Sequence, residues 1–163
     1  MRAKPGPPAW PRWDWIGAGV VFVVTIAAFL PALGNGFVLW DDERNFLDNP
    51  HYRGLGATQI AWMFTTFLSG LYIPVTWLTL GLDYALWGMN PAGYHLSSLV
   101  LHALTAVVVY RIARRLIGLT QPASDGELRL AAVAAVLFFA VHPLRVESVA
   151  WATERRDVVS GLF

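Results

Sequence analysis

Two adjacent carboxylates, Asp41 and Asp42, directly follow a long apolar run that carries no ionisable side chain. The run extends from Trp15 to Trp40 and is long enough for a membrane-spanning helix, which needs about 20 residues. Neighbouring side chains of an extended segment point to opposite sides, so one carboxylate can face a site while the other binds backbone or a cation. The pair could therefore supply a general base. A hydrophilic loop that ends the helix explains the same residues equally well.

A second group of polar side chains lies in the segment HPLRVESVAWATERRD, residues 142–157. Ionisable residues near the end of an apolar span are costly, which favours a functional role over packing. Paired arginines beside a bilayer are well suited to binding phosphate. The alternative for the arginines is a solvated helix start with an aspartate as its N-cap. The predicted substrate-binding residues are His142, Glu147, Arg155, Arg156, Asp157 and, from a different segment, His95.

His102 follows His95 by seven residues. Residues at this spacing lie on the same face of a helix, so the two histidines share one face of the predicted helix. We expect His95 at the outer rim and His102 deeper, where packing is the simpler explanation. A metal site would need an acid at matching depth, and Asp83 does not clearly supply it. The chain has no cysteine, which excludes disulfides and thiolate metal sites. We therefore predict no metal ligands.

The composition indicates an integral membrane protein. Apolar residues make up 56% of the chain and charged residues only 14%, and the apolar residues come in blocks. Several of the eight tryptophans stand at the ends of these blocks, where amphipathic rings favour the headgroup region. The net charge of +1, without a basic stripe, argues against nucleic-acid binding. The predicted fold class is an all-α, multi-pass helical bundle.

The apolar blocks and turn residues divide the chain into eight segments. They are a disordered cytoplasmic lead (1–14), transmembrane helix 1 (15–33), an extracytoplasmic loop with interfacial helices (34–93), transmembrane helix 2 (94–117), a cytoplasmic loop (118–127), transmembrane helix 3 (128–142), a second extracytoplasmic loop (143–157) and the start of another transmembrane helix (158–163). Glycine and proline interruptions favour interfacial helices over a further span in residues 54–88, whose depth in the bilayer stays open. A secretory signal peptide is the alternative for the first span.

The distribution of basic residues sets the predicted orientation. The N-terminal lead and the cluster Arg111, Arg114 and Arg115 fall on one side of the layout, and the first outer loop has few basic residues. The positive-inside rule then places the N-terminus in the cytoplasm and the acidic pair outside. The arginines of residues 143–157 oppose the rule, which invites a functional explanation.

Three segments together resemble a known family: FVLWDDERNFLDNPHYRGL, YIPVTWLTLGLDYALWGMNPAGYHLSSLVLHALTAVVVYRIARRL and AVHPLRVESVAWATERRDVVSGLF. They are similar to the N-terminal membrane portion of bacterial proteins related to the transmembrane-and-tetratricopeptide-repeat (TMTC) family. These proteins belong to the GT-C fold of glycosyltransferases, alongside protein O-mannosyltransferases. The most specific pattern is HPxxxExVAxxxxRxD, which begins at His142 and ends at Asp157. An acidic pair after the first span is typical of GT-C enzymes, and Asp41 and Asp42 fill that position.

The resemblance implies a multi-pass protein of the bacterial inner (cytoplasmic) membrane that transfers a sugar on the extracytoplasmic face. The donor would be a polyprenyl-phosphate-linked sugar, and the acceptor a hydroxyl group, by analogy that of a protein Ser or Thr. Asp41 or Asp42 would remove the acceptor proton. Arg155 or Arg156 would offset charge on the departing phosphate. A divalent cation assists some GT-C enzymes and not others, so the resemblance leaves that cofactor open.

The resemblance also implies an incomplete bundle, because GT-C enzymes have more spans and TMTC relatives continue into repeats. We expect the 163-residue chain to be inactive in sugar transfer by itself. The alternative function is a non-catalytic membrane anchor or scaffold of a tetratricopeptide-repeat protein. A small transporter subunit is disfavoured, because it would spread polar residues along the spans, whereas here they gather on the predicted outer side.

Overall fold

The structure is a computed structural model that describes residues 12–120 and 123–163. Within these ranges the secondary structure is helical, without a β-strand, which confirms the predicted all-α class. The α-helices are α1 (Arg12–Phe29), α2 (Ala57–Thr65), α3 (Pro74–Trp87), α4 (Pro91–Thr120), α5 (Asp125–Ala140), α6 (Arg145–Ala150) and α7 (Arg155–Leu162). Shorter helical turns are the 3-10 turns Leu30–Gly34 and Ala152–Glu154 and the π-helical turn Glu43–Leu47.

Two helices in the described ranges are long and apolar enough to cross a membrane: Arg12–Gly34, with 23 residues, and Pro91–Thr120, with 30. They indicate association with a membrane. The helix in the third predicted span, α5, has 16 residues and a length of roughly 24 Å, which is less than the ~30 Å hydrocarbon layer. The third span and the multi-pass topology stay predictions.

The first helix begins earlier than the sequence predicts. Residues 12–14 are helical, which corrects the predicted disordered lead at those positions, and residues 1–11 of that lead lie outside the described residues. Asp14 in the first turn of α1 is buried, and its Oδ1 atom lies 3.0 Å from Nε of Arg114 and 3.3 Å from Nε of Arg129. A carboxylate is favoured in the first turn of a helix. Here it also joins the start of α1 to the end of α4 and the start of α5.

The helices α1, α4 and α5 pack side by side along an interface rich in small residues. Positions Gly17, Ala18, Val21 and Thr25 of α1 are buried and recur at the spacing of one helix face. Small residues allow helix backbones to approach closely where lipid surrounds the bundle. The buried apolar residues of this cluster are Ala18, Val21, Ala106, Tyr110, Ala132, Val136 and Ala140. The three helices form the frame on which the polar end of the molecule is built.

The segment between α1 and α4 folds over one end of this frame. Its helices α2 and α3 lie within residues 54–88, which agrees with the two short helices predicted there, while their depth in a bilayer remains a prediction. The hydroxyl oxygens of Tyr52 and Tyr94 lie 3.0 Å apart and join this segment to α4. The buried apolar residues of this second cluster are Phe46, Tyr52, Met63, Trp77, Leu80, Tyr94 and Ala152.

A tight turn between α2 and α3 forms part of the same end. Leu68 and Leu71 exchange backbone hydrogen bonds across Ser69 and Gly70. Both central residues have positive φ angles, 53° and 78°, as a two-residue turn of this kind requires. Leu68, Ser69 and Leu71 of this turn line a pocket together with Asp41, which is described below.

Gly81 in α3 is a packing constraint that can be tested. A Cβ atom at this position would lie 2.7 Å from the backbone oxygen of Gly54 and 3.1 Å from that of Tyr52. We expect Gly81→Ala to lower the free energy of unfolding by about 1–3 kcal/mol, because backbone atoms cannot move aside cheaply. Thermal unfolding in lipid bicelles measures this. Gly19→Ala in α1 is the matched control, since no atom lies within 4 Å of its added Cβ. Equal effects of the two substitutions would contradict the packing described for α3.

Candidate functional site

Asp42 is fully buried, and both oxygens of its carboxylate accept hydrogen bonds. Oδ2 accepts a hydrogen bond from the backbone N–H of Val38 at 2.9 Å. Oδ1 accepts one from the backbone N–H of Thr153 at 3.0 Å and another from the Thr153 hydroxyl at 2.5 Å. Hydrogen bonds to a charged group contribute about 1.5–3 kcal/mol each. The side chain thus joins the loop after α1 to the turn before α7, across 111 positions of sequence.

Asp41 lies in a different environment from its neighbour. It is partly exposed and, among the described residues, has no hydrogen-bonding or ion-pair partner. It lines a pocket of about 50 Å³, which we call the Asp41 pocket. The residues that line it are Asp41, Asn45, Phe46, Leu68, Ser69, Leu71, Ile73, Thr76, Trp77, Leu80, Thr153 and Arg156. The structure therefore gives the two acids different environments, although the backbone at Asp41 and Asp42 is helical and not extended, as was expected from the sequence.

Arg156 supplies a positive charge to the wall of the Asp41 pocket. Its side chain is 35% exposed, and one guanidinium nitrogen lies 2.5 Å from Oε1 of Glu154. Burial raises the pKa of the Glu154 carboxyl, and the charge of Arg156 opposes that rise. A guanidinium has five N–H donors, so Arg156 retains donors for an anion after its bond to Glu154.

Arg155 points away from the pocket, which differs from the substrate-binding role predicted for it. Its side chain is fully buried. Nη2 lies 2.7 Å from Oδ2 of Asp83 and donates at 2.6 Å to the backbone oxygen of Tyr94, while Nε donates to the hydroxyl of Ser98 at 2.8 Å. Consecutive residues of a helix point about 100° apart, and here Arg156 lines the pocket while Arg155 does not. Burial raises the pKa of Asp83, and the guanidinium of Arg155 opposes it.

His95 is buried rather than placed at the rim, with 1% of its surface exposed. The backbone of Asn35 and Gly36 and the charges of Asp42 and Arg155 are its neighbours. Neither ring nitrogen makes a well-directed hydrogen bond within the described residues. The histidine does not line the Asp41 pocket.

The three other predicted site residues also lie outside the Asp41 pocket. His142 accepts a hydrogen bond at Nδ1 from the backbone N–H of Leu144 at 3.2 Å, next to the end of α5. Glu147 is exposed on α6. Asp157 accepts a hydrogen bond from the Ser148 hydroxyl at 3.4 Å and lines a second pocket of about 40 Å³.

In residues 12–120 and 123–163, no group of three or more histidine, aspartate or glutamate side chains is placed to bind a metal ion. His102 instead binds the backbone oxygen of Ala140 through Nε2, at 2.8 Å. That contact agrees with the packing role expected for His102.

Comparison with curated proteins identifies relatives along most of the chain. It is 31% identical over 157 residues to Protein O-mannosyl-transferase Tmtc1 of Drosophila melanogaster, a match that covers 90% of this chain and 17% of the relative. It is 30% identical over 154 residues to Protein O-mannosyl-transferase TMTC3 of Homo sapiens, covering 88% and 15%. It is 31% identical over 170 residues to Protein O-mannosyl-transferase TMTC4 of Homo sapiens, covering 96% and 22%.

The chain is related to the TMTC proteins. The predicted resemblance is thereby confirmed. The chain spans between 15% and 22% of the length of these three TMTC relatives. No protein-family model and no solved structure matches it.

Two residues that organise this site could not be identified from the sequence. Thr153 stands at a variable position of the HPxxxExVAxxxxRxD pattern, and only the fold shows that it holds Asp42. Asp83 offered a weak signal, since it is the first charged residue after Arg53 in an otherwise uncharged stretch. Its arginine partner is 72 positions away, so the pairing could not be deduced from spacing.

Replacing Thr153 tests the fixation of Asp42. Thr153→Val keeps the side-chain shape and removes one donor to a buried carboxylate. We expect the free energy of unfolding to fall by about 1–3 kcal/mol, measured by thermal unfolding in bicelles. Thr65→Val is the control, because the Thr65 hydroxyl is exposed and binds only its own helix backbone. Two variants of equal stability would mean that the Thr153 hydroxyl does not hold Asp42.

Proposed function

We propose that this protein contributes the acceptor site of a membrane glycosyltransferase. In the proposed reaction, a sugar moves from a polyprenyl phosphate to a hydroxyl group, with a protein Ser or Thr as the acceptor. The names of the TMTC relatives support glycosyl transfer to protein and favour mannose as the sugar. The observation that carries the proposal is the state of Asp41: an unpartnered carboxylate lines a pocket together with an arginine, while Asp42 is held by three donors.

The size and lining of the Asp41 pocket suit the end of an acceptor side chain. A volume of about 50 Å³ holds roughly one or two water-sized groups, enough for a hydroxymethyl group and too little for a whole sugar. Apolar walls from Trp77, Leu80 and Ile73 favour a short aliphatic arm. The sugar donor would then lie at the mouth of the pocket, toward the bilayer.

The proposed chemistry assigns one step to each charged residue. Asp41 accepts the proton of the acceptor hydroxyl as its oxygen bonds to the anomeric carbon of the sugar. The bond from that carbon to the phosphate oxygen breaks, and the polyprenyl phosphate leaves with the electron pair. Arg156 offsets the negative charge that develops on the phosphate. Asp42, fixed by Thr153, holds the loop that carries Asp41 in place.

The orientation in the membrane is part of the proposal. Arg114 and Arg129 bind Asp14 at the end of the helical frame opposite the Asp41 pocket. Basic residues at that end favour its placement in the cytoplasm by the positive-inside rule. The Asp41 pocket would then face the extracytoplasmic side, and a bacterial inner membrane would supply the polyprenyl-phosphate donor.

Replacing Asp41 tests the proposed function. In the natural full-length protein, we expect Asp41→Asn to lower transfer of labelled mannose from polyprenyl phosphate to a Ser/Thr peptide by about 10²–10⁴-fold, because the amide cannot accept the proton. Asp48→Asn, in the same loop and exposed, is the matched control and should keep the native rate. Native transfer by a membrane-inserted Asp41→Asn variant would exclude Asp41 as the base. Absence of any transfer by the native protein would favour a membrane scaffold instead.

A further inference from the structure

The buried ion pair of Arg155 and Asp83 joins three parts of the molecule. Asp83 belongs to α3, and the other partners of Arg155, Ser98 and the backbone of Tyr94, belong to α4. The second carboxylate oxygen of Asp83 accepts a hydrogen bond from the Ser97 hydroxyl at 2.6 Å. Arg155 itself is the first residue of α7. The start of α7 is therefore fixed to both α3 and α4 through one side chain.

The residues beside Arg155 in the chain are the ones that act at the Asp41 pocket. Thr153, two positions earlier, donates twice to Asp42. Arg156, the next residue, lines the pocket. Ala152 is fully buried in the aromatic cluster beneath them. A short stretch of chain thus carries two site residues, and the buried guanidinium sets where that stretch lies.

Stability alone does not explain this arrangement. A buried ion pair is often no more stabilising than an apolar pair of similar volume, because both charges lose their hydration. Nη1 of Arg155 is also buried without a hydrogen-bond partner in the described part of the chain, which is an unfavourable state for a donor. The position that this ion pair imposes on the start of α7 explains its presence better than its contribution to stability does.

We propose that Asp83 and Arg155 are positioning residues for the Asp41 pocket. Their ion pair holds the turn before α7 so that Thr153 reaches Asp42 and Arg156 faces the pocket. The role assigned to the pocket rests on the proposed function, whereas the positioning of the turn can be measured without any activity.

A buried thiol gives the direct measurement. The native chain contains no cysteine, so Ala152→Cys introduces a single reporter at a fully buried position in the turn. In membranes, a small maleimide should label this thiol slowly. We expect Asp83→Asn to raise the labelling rate about ten-fold or more, because the released turn opens locally. Unchanged slow labelling in the Asp83→Asn background would overturn the proposal.

A second reporter separates local release from general unfolding. Ala132→Cys in α5 is equally buried but lies in the cluster between α1, α4 and α5. Its labelling should stay slow in the Asp83→Asn background. If both thiols become reactive, Asp83→Glu, which keeps the charge on a longer arm, decides by the same comparison. Slow labelling restored at both positions by the retained charge, or selective reactivity at position 152, then supports positioning, and equally raised labelling at both positions overturns it.

A kinetic measurement distinguishes positioning from a merely structural role. In the natural full-length protein, Asp83→Asn should lower kcat for sugar transfer by roughly a hundred-fold, with little change in KM for the acceptor. Asp83→Glu should recover part of kcat. Native kcat per folded molecule would overturn the proposal. If the native protein transfers no sugar, the proposed function fails, while the two thiol reporters still decide whether the ion pair positions the turn.

Discussion

The buried charge of Arg155 imposes the main constraint on the polar end of this molecule. A guanidinium without contact to water needs an anion and several acceptors, and Asp83, Ser98 and the backbone of Tyr94 provide them. Because these partners come from α3 and α4, the segment between α1 and α4 must fold back over the helical frame. The contacts that place α7 and the turn before it follow from the same requirement.

Once this turn is fixed, the two acids after α1 become different from each other. Asp42 receives two hydrogen bonds from Thr153 and becomes part of the structure. Asp41 stays without a partner among the described residues and lines a small pocket with Arg156. Two identical side chains, adjacent in sequence, thus differ in burial and bonding because of a segment more than a hundred positions away. In the proposed reaction, the Asp41 carboxylate accepts a proton and the Arg156 guanidinium offsets the charge of the leaving group.

Much of this organisation could be predicted from the sequence. The charge-free run before Asp41 predicted a long apolar helix, and the two motifs predicted the relationship to TMTC proteins, which the comparisons confirm. The different environments of Arg155 and Arg156 could not be predicted, because they depend on which face of α7 meets α4. The part played by Thr153 depends on a contact across 111 positions, for which local patterns give no signal. The uncharged run from Leu130 to Leu144 predicted the position of helix α5, but it did not predict the residues at which the helix begins and ends.

The most direct test of this account is an experimental structure of the natural protein in lipid nanodiscs with a bound polyprenyl phosphate. Arg155 is expected to remain bonded to Asp83 and Ser98, while Arg156 is the arginine nearest the phosphate and Asp41 faces the acceptor pocket. A structure in which Arg155 leaves Asp83 and binds the phosphate would contradict the central claim that the two arginines divide positioning and binding between them.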